Sequence, residues 1–277
     1  MSAAPLVLLA AALLRVPARR LRALALGDDG ALRDWIANES ATRLAEARRD
    51  ARLTLARLDA LQARVVALGA PDYPAGLRDL RDPPPFLTVR GTLPATSSWR
   101  AGTAIVGARD ADARALAAAR RLGGRGEPPI VSGLARGVDA AAHEGALAVG
   151  AATYAYVGSG LGVTYPPEHG ALAERIVASG GALLSELLPD EPASRWALVR
   201  RDRLQAAHAA SLVLVASTSD GGAMHALRTA RMLGRSRFTM EPLAGPGYDG
   251  NRAALADGAA SLAWDESHVS LGEERPG

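Results

Sequence analysis

The chain has 277 residues, enough for one large domain or two smaller ones, and 48% of them are hydrophobic, which is ample for a packed core. It contains no cysteine, which excludes disulfide bonds and thiolate metal sites and fits a reducing compartment, and no lysine, so all 32 basic residues are arginine. The net charge of +3 is too small for a uniformly basic surface, so a polyanion-binding site would have to be a local cluster.

The first 64 residues are predicted to form a small, all-helical domain. The apolar run from Pro5 to Leu14 is too short to span a bilayer, and no basic residue precedes it as one would in a signal peptide. We therefore expect a buried helix there, no contact with the membrane and a cytoplasmic protein. Nucleic acid could contact Arg19, Arg20 and Arg22, but a solvated helix face is the favoured interpretation.

Residues 65–277 are predicted to form a second, larger domain. After strand-like segments at 64–68 and 86–90, strands alternate with helices, which is typical of a parallel sheet covered on both faces. The predicted strands are 103–106, 129–131, 152–157, 182–185, 211–216, 236–240 and 260–264. The predicted helices lie near 111–122, 138–149, 167–180, 198–209, 222–233 and 251–257. We therefore expect an α/β fold with a doubly wound, mostly parallel sheet.

The stretch from Ile130 to His143 reads as a strand, a glycine-rich turn and an Ala-rich helix. This layout can direct free backbone N–H groups at an anion, and Arg136 within the turn would strengthen that preference. An ordinary loop whose glycines only permit the turn is the alternative, because a single pair of glycines is weak evidence.

Similar turns follow other predicted strands. Gly107 follows the first parallel strand, glycines at 158, 160 and 162 follow the third, and Gly221-Gly222 come after the fifth. Ligands of such sheets bind beyond the carboxyl ends of the strands. Small residues let a ligand approach, and exposed N–H groups bind phosphate oxygens. The pattern predicts a site for a phosphate-bearing ligand at this edge of the sheet.

Several catalytic and cofactor sites are excluded by missing motifs. The sequence GSGLG at 158–162 lacks the central serine of a nucleophile elbow, and there is no Walker A loop. The first turn reads GARDAD instead of GxGxxG, which argues against a nicotinamide cofactor. The five histidines show no metal-ligand spacing, and His143 is expected to contact Asp139, four residues earlier. We expect no metal and no cofactor.

Several motifs resemble one family. Residues 104–109 (AIVGAR), 131–143 (VSGLARGVDAAAH) and 158–169 (GSGL to YPPEH) are similar to motifs of the DNA-processing protein A family, also called DprA/Smf. Shorter similarities lie at 72–74, 83–86, 184–186, 234–235, 250–251 and 258–259. The similarity covers most of residues 1–265.

The resemblance implies a sterile-alpha-motif-like (SAM-like) helical domain at 1–64 and an extended Rossmann-like domain at 65–277 that binds single-stranded DNA. It also implies a homodimer that protects incoming DNA and helps to load the RecA recombinase during natural transformation, and a protein that is not an enzyme. We expect a divergent member without the winged helix that often follows this domain.

Besides the Val-Pro-Gly-like ending of the sixth strand, which is Thr239-Met240-Glu241-Pro242 here, the chain departs from the family pattern in two stretches. The family's Phe-Pro and Arg-Asn-Arg residues are Leu198-Val199 and Arg201-Asp202-Arg203 here, so an anion replaces an amide beside the expected phosphates. The family's Ser-Gly-Ser-Leu is Gly221-Gly222-Ala223-Met224 here. Both changes concern DNA affinity and RecA loading.

The turns and the resemblance together predict a DNA-binding site. On a helix, Arg200 and Arg203 would share one face and Arg201 would point elsewhere. The predicted site residues are Arg109, Ser132, Gly133, Arg136, Gly137, Gly158, Ser159, Gly160, Tyr165, Arg201, Arg203, Gly221 and Gly222. The apolar residues Met224, Leu227, Met232, Leu233 and Phe238 either form a dimer surface or fill the core.

A competing class is the Rossmann proteins that bind or cleave small nucleotides. Those that cleave riboside phosphates carry a PGGxGTxxE loop. The corresponding residues 220–227 here, DGGAMHAL, keep the pair of glycines but lack the Thr and the Glu. We therefore favour DNA binding over this alternative.

Overall fold

The computed structural model describes residues 5–93, 102–126 and 129–264. The helices in these ranges are α1 (Pro5–Leu13), α2 (Ala18–Ala25), α3 (Gly30–Ile36), α4 (Ala41–Ala60), α5 (Ala113–Gly123), α6 (Val138–Ala148), α7 (Gly170–Ala178), α8 (Arg195–His208), α9 (Ala223–Met232) and α10 (Asp249–Ala256). The strands are β1 (Ala63–Ala67), β2 (Phe86–Gly91), β3 (Thr103–Val106), β4 (Ile130–Ser132), β5 (Thr153–Tyr156), β6 (Ala182–Ser185), β7 (Ser211–Leu214), β8 (Ser236–Met240) and β9 (Ala260–Leu262).

All nine of these strands belong to one sheet, in the order β1-β2-β6-β5-β4-β3-β7-β8-β9. β1 and β2 pair antiparallel, as do β2 and β6, and every other pairing is parallel. The predicted α/β fold with a mostly parallel sheet is confirmed. Every residue of β3, β5, β6 and β7 is buried, because helices cover both faces of the sheet.

The chain changes direction at the centre of the sheet. From β3 it runs through α5 to β4 on one side, whereas from β7 it runs through α9 to β8 on the other side. The register pairs Thr103 with Ser211 and Val106 with Leu214, so β3 and β7 end side by side. A crevice is expected beyond such a switch point, because the connections leave there in opposite directions.

The N-terminal helices pack on the β1-β2-β6-β5 part of the sheet. Leu8 and Leu9 of α1 are fully buried in one hydrophobic cluster with Val66, Leu87 and Tyr156 of the strands. The helical segment therefore shares its core with the sheet, and the predicted boundary at residue 64 stays a prediction. Across the described residues, none of the helices has both the length and the apolar character that crossing a membrane requires.

Two helix boundaries differ from the expectation. α4 ends at Ala60 instead of continuing to Arg64, because residues 63–67 pair with β2. α8 begins at Arg195, three residues early, because the Ser194 side chain caps it by accepting the Ala197 N–H at 3.1 Å. The arginines at 200, 201 and 203 consequently lie beyond the first turn of the helix.

Candidate functional site

A cleft of about 690 Å³ opens beyond the carboxyl ends of β3 and β7. Its walls are the turn after β3 (residues 107–110), the first turns of α8, and the turn after β7 that leads into α9 (residues 217–223), with Tyr165 at the rim. We call it the switch-point cleft. It lies at the edge where the sequence predicts a phosphate-bearing ligand.

A buried ion cluster forms the floor of the switch-point cleft. Arg201 is 6% exposed, and its guanidinium donates to Asp202 Oδ1 at 3.0 Å and to the Gly133 carbonyl oxygen at 2.9 Å. It also lies 3.5 Å from Asp139 Oδ2. Burial raises the pKa of the Asp139 carboxyl, and the Arg201 charge opposes that shift. Arg201 thus offsets one of the two negative charges that Asp139 and Asp202 can bring into the cluster.

The turn after β4 does not present the free N–H groups that its sequence suggests. The N–H groups of Gly133 and Ala135 donate to Asp139 Oδ2 at 3.1 and 3.3 Å. The expected anion site at 130–143 is therefore already occupied by a carboxylate of the chain itself. A side chain at Gly133 would overlap the Arg201 guanidinium, so this glycine makes room for the ion cluster.

Opposing influences act on the pKa of the Asp202 carboxyl in the switch-point cleft. Burial and the nearby Asp139 raise the pKa of its carboxyl to about 6, while Arg201 and Arg109 act in the opposite direction. A Cβ at Gly222 would lie 3.9 Å from Asp202 Oδ2, so the carboxylate faces the turn before α9. It is an acid where the family pattern has an amide.

Three groups in the switch-point cleft are available to an anion. Arg109 is exposed, and within the described chain its side chain makes no ion pair or hydrogen bond. The N-terminus of α9, at Gly222, has no side-chain cap. The N–H groups of Met224 and His225 donate to the Gly221 and Gly222 carbonyls, but among the described residues the N–H groups of Gly222 and Ala223 have no partner. The first N–H groups of a helix and its positive dipole end favour an anionic ligand. Arg195 is exposed on the same wall and adds a second cation.

Other predicted site residues are engaged inside the protein. Ser132 Oγ donates to the Ile105 carbonyl at 2.7 Å, and Ser159 Oγ donates to the Val163 carbonyl at 2.6 Å. Both serines are buried. The other glycines of the predicted set have neighbouring protein atoms where a Cβ would stand; they are Gly137, Gly158, Gly160 and Gly221. Close packing therefore accounts for these glycines, whereas a Cβ at Gly222 would make only an ordinary contact, with Asp202 Oδ2 at 3.9 Å.

The charged and aromatic residues of the predicted site differ in their exposure and in their ion pairs. Arg136 is exposed but forms an ion pair with Glu168. Arg203 is mostly buried and pairs with Glu186, with Asp82 at 3.8 Å. Tyr165 is 39% exposed at the rim of the switch-point cleft.

His143 does not make the predicted contact with Asp139. Its Nδ1 lies 2.8 Å from Thr153 Oγ1, because the ring turns toward β5. Burial lowers the pKa of this imidazole to about 3, so it is neutral at physiological pH. It supports the packing of α6 on the sheet.

Trp196 is a surface residue that the sequence motifs do not single out. This indole is 62% exposed on α8, and the Arg200 guanidinium carbon lies 4.9 Å from its ring centroid. The spacing of a tryptophan and an arginine four residues apart on a helix is a signal that could have identified the pair.

Residues 64–271 match the family described as DNA recombination-mediator protein A. Protein Smf from Escherichia coli is 33% identical over 192 residues, which are 68% of this chain and 50% of the relative. DNA processing protein DprA from Streptococcus pneumoniae is 30% identical over 170 residues, which are 61% of this chain and 59% of the relative. The chain spans about half the length of the first of these relatives.

Solved structures show the same architecture. The X-ray structure of DNA processing protein A from Streptococcus pneumoniae superimposes with a TM-score of 0.79 over 95% of both chains, at 22% identity. A structure of DNA processing protein A from Helicobacter pylori, described for its single-stranded DNA binding mode, covers 74% of this chain and 92% of that one, with a TM-score of 0.62 and 25% identity. The chain belongs to the family of DNA recombination-mediator protein A, the DprA/Smf family.

Proposed function

We propose that this protein binds single-stranded DNA in the switch-point cleft and acts as a recombination mediator. The observation that carries the proposal is that Arg109, exposed and without an ion pair among the described residues, shares one cleft with the N-terminus of α9, which has no side-chain cap. An arginine and free helix N–H groups are the usual partners of phosphate oxygens. The relative from Helicobacter pylori is described as binding single-stranded DNA.

The chemistry of the switch-point cleft favours contacts with the backbone of the strand. Arginine and N–H groups bind phosphates, and such contacts carry no sequence information. Tyr165 lies at the rim, where its ring can stack on an unpaired base. A base inside a duplex is already stacked and could not reach this ring. We therefore expect preference for single strands without strong sequence readout.

The acids of the switch-point cleft moderate this binding. Asp110 and Asp220 line it in exposed positions, and Asp202 lies near its floor. The slope of log affinity against log salt grows with the number of phosphates that cations contact, so the two exposed arginines of the cleft, Arg109 and Arg195, should set the salt dependence of DNA binding.

The wider role is inferred from the family. In this proposal the protein protects incoming DNA and helps to load RecA in the cytoplasm, and its role is binding rather than catalysis. A homodimer belongs to the same proposal, but the suggested dimer surface needs correction. Met224 and Leu227 are buried in the core, and of the five apolar residues only Met232, at 77% exposure, is largely free to meet a partner.

The test is DNA binding by the Arg109→Ala variant. It should weaken the binding of oligo-dT several-fold, and the loss of one phosphate contact should reduce the salt slope by about 0.7. The melting temperature should stay the same, because Arg109 forms no ion pair with any residue that the structure describes. Arg175→Ala is the matched control, since Arg175 is also exposed but lies in the last turn of α7.

Equal affinities of the two variants would contradict the assignment of Arg109. Binding of a duplex as tightly as a single strand of the same length would contradict the preference. A small nucleotide that co-purifies with the protein, detected by mass spectrometry, would favour the competing nucleotide-binding role.

A further inference from the structure

The indole of Trp196 remains in solvent beside the switch-point cleft. Trp196 is 62% exposed, whereas Trp264 is 8% exposed and packs edge-on against Tyr248. Burial of an indole is strongly favourable, and a tryptophan left in solvent often marks a contact surface. Trp196 therefore needs an explanation outside the core.

The indole of Trp196 is held in a defined orientation. The Arg200 guanidinium, one helical turn further along α8, has its central carbon 4.9 Å from the ring centroid. Glu186 Oε2 accepts from Arg200 Nε at 3.3 Å, and Asp82 lies 4.0 Å from the same guanidinium. The cation covers one face of the ring and the acids anchor the cation, which leaves the other face open to a flat partner.

Trp196 lies where a strand would leave the switch-point cleft. The first turns of α8 lie between the switch-point cleft and a second cleft of about 280 Å³. Arg195 and Val199 line the switch-point cleft, whereas Trp196 and Arg200 line the second cleft. Consecutive residues of one helix thus face the two clefts. A strand that crosses the start of α8 passes Arg195, a phosphate partner, and then meets the open face of the indole.

We propose that Trp196, backed by Arg200, is a base-stacking platform that extends the single-stranded DNA site from the switch-point cleft across the start of α8. This inference rests on the proposed function. The occupant is a nucleobase, because the exposed indole stands between Arg195 and Arg200 on α8, which suits a flat base next to its phosphate. An aromatic ring stacks on any base, so the platform adds affinity without sequence preference.

The experiment compares an oligo-dT of about 20 nucleotides with an abasic strand of equal length, because the platform acts on bases alone. Trp196→Ala should weaken oligo-dT binding about tenfold, the typical contribution of one stacked base. It should not change abasic-strand binding, and Trp196→Phe should keep most of the affinity. Val149→Ala, which truncates an exposed apolar side chain at the end of α6, is the control and should leave both affinities unchanged.

Arg109→Ala separates this proposal from the proposed function. It should weaken the binding of both strands, because it removes a phosphate contact. If Arg109→Ala weakens binding and Trp196→Ala matches Val149→Ala, the cleft binds DNA and the platform is refuted. If Trp196→Ala weakens the binding of oligo-dT and of the abasic strand equally, stacking is also refuted. The platform is refuted as well if Trp196→Ala binds DNA normally but no longer associates with RecA. If the wild type binds neither strand, the proposed function fails together with the platform.

Discussion

At the scale of single residues, Asp202 contributes a titratable negative charge to the switch-point cleft. Its carboxyl has a pKa of about 6, so it is mostly ionised at neutral pH and becomes neutral as the pH falls through 6. The negative charge then disappears from the neighbourhood of Arg109. Proton uptake should therefore strengthen DNA binding in mildly acidic solution.

Asp202→Asn should strengthen oligo-dT binding at neutral pH, because it removes the charge permanently. It should also reduce the gain in affinity that the wild type shows between about pH 7.5 and pH 5.5. His225 lines the same cleft with a lowered pKa and becomes positive at low pH, so the single variant keeps part of the gain. The Asp202→Asn, His225→Gln double variant should lose it. Fluorescence anisotropy at several pH values measures this, and an unchanged pH profile would contradict the role of Asp202.

Arg201 is buried in the ion cluster with Asp139 and Asp202, whereas the sequence predicts that it contacts DNA. Arg201→Met should destabilise the protein by about 3–5 kcal/mol, because it leaves two carboxylates without their buried cation. The salt slope of DNA binding should be the same as in the wild type. Urea unfolding and binding titrations check both points. A stable variant with a reduced slope would show that Arg201 contacts phosphate.

At the scale of secondary-structure elements, the docking of α1 tests how the N-terminal helices belong to the fold. Leu8 and Leu9 are fully buried against strands of the sheet. Leu9→Ala should therefore cost about 2–5 kcal/mol, the usual range for such a cavity. Because the core is shared, circular dichroism and tryptophan fluorescence should report one coincident unfolding transition.

Val7→Ala on the same helix is the control, because Val7 is largely exposed and its loss should change stability by less than about 0.5 kcal/mol. Two separate transitions would instead show that residues 1–64 unfold as an independent domain.

At the scale of the whole molecule, two buried histidines make stability depend on pH. Burial lowers the pKa values of His143 and His208 to about 3, from an ordinary value of 6.5. The unfolded chain binds these protons more readily, so each histidine stabilises the fold above pH 6.5 and loses that contribution as the pH falls toward 3. Asp202, Asp139 and Glu186 act in the opposite direction because their pKa values are raised.

A difference between variants isolates the histidine contribution. Each buried histidine should cost about 1.4 kcal/mol when the pH is lowered from 7.5 to 5.5. His208→Phe should abolish one such contribution. The variant also loses the contact between His208 and the Tyr156 hydroxyl, which lowers its stability by the same amount at both pH values. Urea unfolding at the two pH values measures it. The same pH dependence in variant and wild type would mean that His208 takes up no proton on unfolding.

Local sequence patterns are sufficient to predict the architecture. Strands such as 103–106 and 211–214 appear as short apolar runs between helices, and the glycines mark where the chain turns. The parallel sheet follows from that alternation, and its carboxyl edge follows from the chain direction. Because these features depend on residues that are close together in the sequence, the sequence by itself determines where the switch-point cleft lies.

The roles of individual residues at this edge depend on contacts between distant segments. Arg201 bonds the Gly133 carbonyl, 68 positions earlier, and Asp139 accepts N–H groups that seemed free for a ligand. The motif 131–143 looks like an anion site because its composition is the same whether a phosphate or a carboxylate fills the turn. Trp196 gains its position from α8, which separates two clefts. Spacing along the chain identifies which residues reach the edge, but burial and pairing across the fold determine which remain free to bind.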